Sequence, residues 1–119
     1  EIDCTEQMTF TVNEITVKAG QPLKISLLNT SATAHNLVIV KPGAEQKVGT
    51  AANEMARSMD GYKKHFVPKV PEVLFSTPLV KPNSSYALRM EAPKEPVRYP
   101  YICTFPGHWI IMKGVLIVK

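Results

Sequence analysis

The most informative stretch of this chain is Cys103-Thr104-Phe105-Pro106-Gly107-His108-Trp109-Ile110-Ile111-Met112. It places a thiol, an imidazole and a thioether close together, and soft, redox-active metals prefer these three kinds of ligand. Four residues separate Cys103 from His108 and three separate His108 from Met112, so a compact loop can turn all three side chains toward one ion. Pro106 and Gly107 supply a stiff, tight corner. The stretch therefore predicts a metal-binding loop.

A trigonal site needs a second imidazole, and His35, within Ala34-His35-Asn36, is the candidate. Two histidines, one thiolate and a weak, long axial methionine make up the blue-copper type of electron-transfer site. A rigid site of this kind suits both oxidation states of copper, so little has to move when an electron arrives.

The two cysteines leave an alternative open, because a disulfide between Cys4 and Cys103 would occupy the Cys103 sulfur and forbid metal binding. We interpret Cys103 as a ligand, since its neighbours suit a metal loop and those of Cys4 do not. Cys4 is then expected to be an unpaired thiol, buried near the first strand. His65 has no other ligand type at helical or hairpin spacing, and we interpret it as a surface histidine.

Short runs of alternating or continuous apolar residues, separated by Pro, Gly and Asn, occupy most of the chain and predict β-strands. Pro100 marks its strand as an edge or a bulged stretch. Ala52, Met55, Met59 and Tyr62 recur at helical spacing and predict one helix from about Thr50 to Gly61, with its methionines used for packing. The sequence thus predicts an all-β sandwich of seven or eight strands with one short helical insertion. The predicted strands cover residues 10–12, 15–17, 23–27, 35–40, 73–77, 85–91, 97–103 and 115–118.

The bulk properties favour one globular domain over residues 1–119 and exclude several functions. The net charge is +4, but the lysines are scattered, whereas nucleic-acid binding would predict clustered basic and aromatic residues. No apolar run approaches the roughly 18 residues of a transmembrane helix. The start, Glu1-Ile2-Asp3-Cys4, is expected either after removal of a signal peptide or within a longer chain. Asp60 and Glu54 pair with no nucleophile, and no catalytic motif is present, so an enzyme is not expected.

The run from Cys103 to His108, followed by Met112-Lys113-Gly114, resembles the ligand loop of the azurins, and auracyanins share much of this pattern. His35-Asn36 resembles the first ligand of that family and its neighbour. The resemblance extends over nearly the whole chain but is specific only at residues 35–36 and 101–114. It implies a Greek-key, cupredoxin-like β-sandwich that binds one mononuclear copper ion. The implied ligands are His35, Cys103, His108, axial Met112 and, more distantly, the carbonyl of Ala34.

The resemblance also implies how the ligands are held. Asn36 would tie the two ligand-bearing loops together through Thr104, and the amides of Asn36 and Phe105 would point at the Cys103 sulfur. The chain departs from azurin in three places. It has no second cysteine to pair with Cys4, its loop before His35 is shorter, and Trp109-Ile110-Ile111 replaces smaller residues.

The function implied is one-electron transfer between redox proteins, such as a cytochrome c and a dehydrogenase or oxidase. They would dock on an apolar patch beside His108, for which the candidates are Phe105, Pro106, Trp109, Ile110 and Pro42; burial of Trp109 under the loop is the alternative. Two other functions stay open: the electron-entry domain of a larger membrane-associated dehydrogenase, and copper storage or delivery. The family implies a periplasmic or other extracytoplasmic location, with or without a membrane tether.

Overall fold

A computed structural model describes residues 10–57 and 60–119, together with the backbone of residues 2–4. These residues form eight strands and one helix. The strands are β1 (Ile2–Cys4), β2 (Glu14–Val17), β3 (Pro22–Asn29), β4 (Val38–Val40), β5 (Val73–Ser76), β6 (Ser84–Glu91), β7 (Arg98–Ile102) and β8 (Lys113–Val118), and the helix is α1 (Glu45–Met55).

The strands form two sheets, which confirms the predicted β-sandwich. One sheet has the order β1-β3-β6 and the other β2-β8-β7-β4-β5. Alternate residues of both sheets meet in one core: Ile25 and Leu27 come from β3, whereas Ile39 and Tyr101 come from the five-stranded sheet. This packing explains the alternating burial along β3, whose other face points outward.

Helix α1 covers the outer face of the five-stranded sheet. Val38 and Val40 of β4 point to this side and pack with Val48 of the helix, while Ile39 between them points into the main core. Strand β4 is therefore buried on both faces, which accounts for its unbroken apolar sequence. None of the helical segments in the described ranges is long and apolar enough to span a membrane.

The predicted bounds of the helix were wrong at both ends. The helix begins at Glu45 and ends at Met55, and its buried face consists of Val48, Gly49 and Ala52. Its first turn has no side-chain cap, so the sequence carries no start signal there. After Met55, the amides of Ala56 and Arg57 bond to carbonyls three residues back, which tightens the last turn and ends the helix. Met59, predicted to pack in this helix, lies outside the described residues.

Three predicted strand positions also need correction. The described chain forms no strand over residues 10–12, where only Phe10 makes a β-bridge, and β4 begins at Val38 instead of His35. Pro100 lies in β7, which pairs with strands on both sides and is not an edge. It is tolerated because the ladder with β4 ends at Tyr101, so that only β8 pairs opposite Pro100.

Candidate metal centre

Two neighbouring strands bring the predicted ligands together at one end of the sandwich. Strands β4 and β7 are antiparallel, with Val38 opposite Ile102. Continuing this register past the strand ends places Asn36 opposite Thr104, so the residues beside them, His35 and Cys103, must be close. His35 is fixed by a two-way backbone bridge to Val80, with N···O distances of 3.2 and 2.7 Å.

The loop after β7 returns twice toward Cys103. The His108 amide donates to the Phe105 carbonyl at 2.9 Å, closing a turn in which Gly107 has φ of +86°, a conformation that favours glycine. The Met112 amide then donates to the His108 carbonyl at 2.8 Å, and the Cys103 amide donates to the Met112 carbonyl at 3.0 Å. These bonds form the predicted tight corner and connect the backbone of Met112, which is fully buried, to both Cys103 and His108.

Among the described residues, one group could hold a metal ion through its side chains, and it consists of His35, Cys103 and His108. Their ligand atoms lie within 4.8 Å of one another, and all three residues are buried. The Cys103 Sγ lies 3.8 Å from the His35 Nδ1 and 3.7 Å from the His108 Nδ1. The described residues thus assemble an N₂S donor set from two separate loops, and Cys103 is a free thiol, which excludes a disulfide with Cys4. The side chain of Cys4 lies outside the described residues.

The distances from the Cys103 sulfur to the two histidine nitrogens test whether the site fits a copper ion. Metal–sulfur and metal–nitrogen bonds of about 2.3 and 2.05 Å place the two donor atoms about 3.8 Å apart in a trigonal plane, and about 3.6 Å apart in a tetrahedron. The observed 3.7 and 3.8 Å lie within about 0.2 Å of both values, so one ion can contact the sulfur and each nitrogen at the same time. The donor set is therefore the one that a blue-copper site uses, and its spacing fits a single ion.

Asn36 joins the two ligand-bearing loops, as predicted. Its Oδ1 accepts a hydrogen bond from the Thr104 amide at 2.7 Å, and its Nδ2 donates to the Thr104 Oγ1 at 2.8 Å. The backbone amides of Asn36 and Phe105 also bond to the Cys103 sulfur, as expected. Contacts of this kind fix the direction of the ligands and tune the metal.

Several supporting residues were missed by the sequence analysis. The Thr33 hydroxyl lies 3.0 Å from the His35 Nε2; a proton on that nitrogen can be donated to Thr33, leaving the Nδ1 lone pair free for the metal. The His65 carbonyl accepts from the Asn36 Nδ2 at 2.9 Å, and Asn53 of α1 accepts from the Gly107 amide at 2.9 Å. His65 itself is exposed, as predicted. A hydroxyl two residues before a ligand histidine was the one signal that could have indicated such support.

Buried Asn29 shapes the loop that leads to His35. Its Nδ2 donates to the carbonyls of Thr33 and Val80 at 2.7 and 2.8 Å, and its Oδ1 accepts from the Ser31 hydroxyl at 2.6 Å. These bonds hold residues 30–34, between β3 and His35, in an ordered hydrogen-bonded loop. Ala34 is half-buried at its end, and the role of its carbonyl stays a prediction.

Burial shifts the pKa values of the imidazoles and of the thiol in opposite directions. Burial, and to a lesser extent the neighbouring His108, lowers the pKa of His35 from 6.5 to about 4, and burial also lowers the pKa of His108. Both imidazoles are therefore neutral near pH 7. Burial raises the pKa of Cys103 to about 11, opposed by the two amide hydrogen bonds. A metal cation that binds near pH 7 must then displace one proton, from this thiol.

The metal-free protein is expected to lose stability as the pH falls from about 6.5 toward 4. The unfolded chain takes up a proton on His35 in this range, whereas the folded chain does not, because its His35 has a pKa of about 4. The free energy of unfolding should be about 2 kcal/mol lower at pH 5 than at pH 7 from this residue. Urea unfolding at several pH values measures the slope, and a His35→Gln variant should flatten it. An equal slope in both proteins would contradict the assignment.

Trp109 is half-buried, so it is neither fully exposed nor fully covered by its loop. Its ring packs on the cluster formed by α1 and β4, directly over Gly49. The Nε1 atom is buried and has no hydrogen-bond partner among the described residues. The two residues that follow, Ile110 and Ile111, expose 60% and 53% of their surface, whereas His108 exposes only 7%.

Comparison with known proteins agrees with this site. The family model of copper-binding proteins of the plastocyanin/azurin family matches residues 1–119. Auracyanin-A from Chloroflexus aurantiacus is 35% identical over 96% of this chain and 69% of its own length, and an azurin from Pseudomonas aeruginosa is 30% identical over 100% and 83%. The structure of auracyanin A, a "blue" copper protein from Chloroflexus aurantiacus, superimposes with a TM-score of 0.88 at 33% identity, over 99% of this chain and 95% of that one.

The comparisons identify the metal that the N₂S cluster is built to hold. One copper ion is the cofactor of this site, and the family match, the relatives and the geometry of His35, Cys103 and His108 agree on it. The chain belongs to the plastocyanin/azurin family of copper-binding proteins.

Proposed function

We propose that this protein, acting as a single cupredoxin domain, is a one-electron carrier and not an enzyme. In this proposal His35, Cys103 and His108 are the strong copper ligands, Met112 is the weak axial ligand, and the Ala34 carbonyl is a more distant contact. The bound copper supplies the one-electron redox couple. The observation that carries the proposal is a buried donor set of two imidazoles and one thiol whose spacing fits a single ion.

The protein's contribution is rigidity. Asn36 and Thr104 lock the two ligand loops together, and two backbone turns fix His108 and Met112 relative to Cys103. A site held in this way changes little between oxidation states, which favours rapid electron transfer. The same enclosure argues against copper delivery, because exchange of the ion requires accessible ligands, and here the three are buried.

We place the docking site for a redox partner on the apolar surface beside His108. Ile110 and Ile111 are exposed, Pro42 is exposed, and Phe105, Pro106 and Trp109 are half-exposed. Exposed apolar residues grouped next to a metal ligand suit a transient protein contact. An extracytoplasmic location is part of the proposal, based on the family to which the chain belongs.

A copper titration tests the carrier function. The protein should bind one copper per chain, become blue when oxidised, bleach on reduction and recover its colour on reoxidation without loss of metal. A chelator should remove the copper only slowly. Rapid loss of copper to the chelator, or loss on each redox cycle, would favour storage or delivery and contradict the proposal.

Replacing Met112 by Leu is expected to keep copper bound but to shift the reduction potential, because the axial bond is weak and the strong ligands remain. Cyclic voltammetry of the Met112→Leu protein measures the shift. Met90→Leu, in the half-buried part of β6, is the matched control and should leave the potential unchanged. An unchanged potential in the Met112 variant would show that the thioether is not an axial ligand.

A further inference from the structure

A row of aromatic rings extends from the metal site to the protein surface. We call Tyr62, Phe66, Phe105 and His108 the aromatic row. The ring centroids of His108 and Phe105 are 4.7 Å apart, those of Phe105 and Phe66 are 5.3 Å apart, and those of Phe66 and Tyr62 are 6.0 Å apart. Each separation lies in the range of a direct aromatic contact. The row is therefore continuous from the ligand His108 to Tyr62.

The two ends of the row differ in exposure. His108, at one end, exposes 7% of its surface, whereas Tyr62, at the other end, exposes 57%. Phe66, within the row, exposes 8%. Tyr62 is thus the ring of the row that a second protein can reach most easily. It lies in the segment after α1, away from the exposed isoleucines of the ligand loop in sequence.

The backbone of this segment is held in an unusual conformation that places Phe66 against Phe105. His65 and Phe66 have φ values of +56° and +54°, which residues other than glycine rarely adopt. The segment is fixed from three sides: the His65 carbonyl accepts from Asn36, the His65 Nδ1 accepts from the Leu79 amide at 3.1 Å, and the Phe66 amide donates to the Gly61 carbonyl at 3.0 Å. Unfavourable backbone conformations that are held so firmly cluster at functional sites.

The exposed end of the row, residues 60–66, carries two lysines and one carboxylate. Lys63 and Lys64 follow Tyr62 and are both exposed. Lys64 forms an ion pair with Asp60 at 3.0 Å, whereas Lys63 forms no ion pair with the described residues. The whole chain carries a net charge of +4. Such a surface attracts a negatively charged partner.

We propose that the aromatic row is a second electron route, which branches at Phe105 from the apolar surface beside His108, and that it serves a redox protein with an acidic docking face. The proposal rests on the carrier function proposed above. In each transfer the partner's redox centre gains or loses one electron and the copper site loses or gains one. No bond forms or breaks, and Tyr62 keeps its proton, because the rings only bridge the distance between the two centres.

Electron transfer over the row can be measured from a fixed starting point. A Cys4→Ser/Lys63→Cys protein would carry a thiol-linked ruthenium polypyridyl photo-oxidant at position 63, and laser flashes would report the rate at which the reduced copper site is oxidised. Tyr62→Leu and Phe66→Leu should each slow this rate several-fold. Tyr86→Leu removes an exposed tyrosine outside the row and should leave the rate unchanged.

The flash experiment distinguishes failure of the proposed route from failure of the proposed carrier function. Equal rates in the parent protein and in Tyr62→Leu, an exposed substitution that leaves the core intact, would overturn the route while the copper site still functions. No reversible oxidation of the copper in the parent protein would instead overturn the carrier function. The blue absorption and the reduction potential of each variant, measured in the same samples, must match the parent for a slower rate to count as support.

Binding of a small anion tests whether residues 60–66 attract an acidic partner, and this experiment does not depend on electron transfer. Hexacyanocobaltate(III), a redox-inert anion, would be titrated into the metal-free, ¹⁵N-labelled protein. Amide shifts should concentrate in residues 60–66, and Lys63→Gln should reduce them several-fold, whereas Lys94→Gln, between β6 and β7, should not. Shifts that leave residues 60–66 unaffected would overturn the acidic-partner assignment.

Discussion

Replacing Cys103 by Ser is expected to abolish the intense blue colour of the copper-loaded protein completely. The colour of such a site comes from charge transfer between a thiolate and oxidised copper, and a serine hydroxyl cannot supply it. The Cys103 sulfur also lies 3.7–3.8 Å from both histidine Nδ1 atoms, so its removal leaves only two nitrogens of the three clustered donor atoms. Absorption spectroscopy and a copper titration of the Cys103→Ser protein measure the two losses.

Cys4→Ser is the matched control for this experiment, because it removes the other cysteine of the chain. It should keep the blue colour and bind copper as the parent protein does. Circular dichroism should show that both variants retain the β-sandwich, since serine is close to cysteine in size. Persistence of the colour in Cys103→Ser, or its loss in Cys4→Ser, would contradict the ligand assignment.

The three residues of the N₂S cluster could be predicted because their signals are local. Cys103 and His108 lie in one short loop whose corner residues, Pro106 and Gly107, reveal the turn, and Gly107 does adopt the positive φ that glycine favours. His35 is farther away in the sequence, but it lies three residues before the apolar strand β4. The antiparallel pairing of β4 with β7 then brings it to Cys103.

The supports of the site could not be predicted in the same way. The His65 carbonyl accepts from Asn36 only because two residues other than glycine take positive φ values, and no sequence pattern signals such a conformation. Asn53 bonds to the Gly107 amide because α1 lies beside the ligand loop. A backbone group has no sequence identity, and the position of a helix over a sheet depends on packing, so both contacts required the three-dimensional structure.

The helix was placed too late in the sequence for a related reason. The spacing of Ala52, Met55, Met59 and Tyr62 suggested an apolar face, but the buried face uses Val48, Gly49 and Ala52. Tyr62 is exposed. Glycine carries no hydrophobic signal, yet Gly49 is buried because a large side chain from another part of the chain lies on it.

Replacing Gly49 by Ala is expected to displace Trp109 and destabilise the protein by about 1–3 kcal/mol, a usual cost of overpacking. A Cβ atom on Gly49 would overlap three atoms of the indole ring, and the ring is rigid and packed against α1 and β4. Alanine alone favours a helix over glycine by about 1 kcal/mol, so any net loss of stability must come from this overlap. Urea unfolding measures the loss, and tryptophan fluorescence reports the ring, since Trp109 is the one tryptophan in the chain.

The same substitution should have the opposite sign when the indole is absent. In a Trp109→Ala background, Gly49→Ala meets no ring and should stabilise the protein by up to about 1 kcal/mol through helix propensity. The double-mutant cycle therefore predicts a coupling energy of about 2–4 kcal/mol between the two positions, which is large for a pair of neighbours. Because Trp109 follows His108 directly, Gly49→Ala should also change the reduction potential of the copper site. Additive effects on stability, with no reversal of sign, would show that the helix does not hold the ligand loop through this contact.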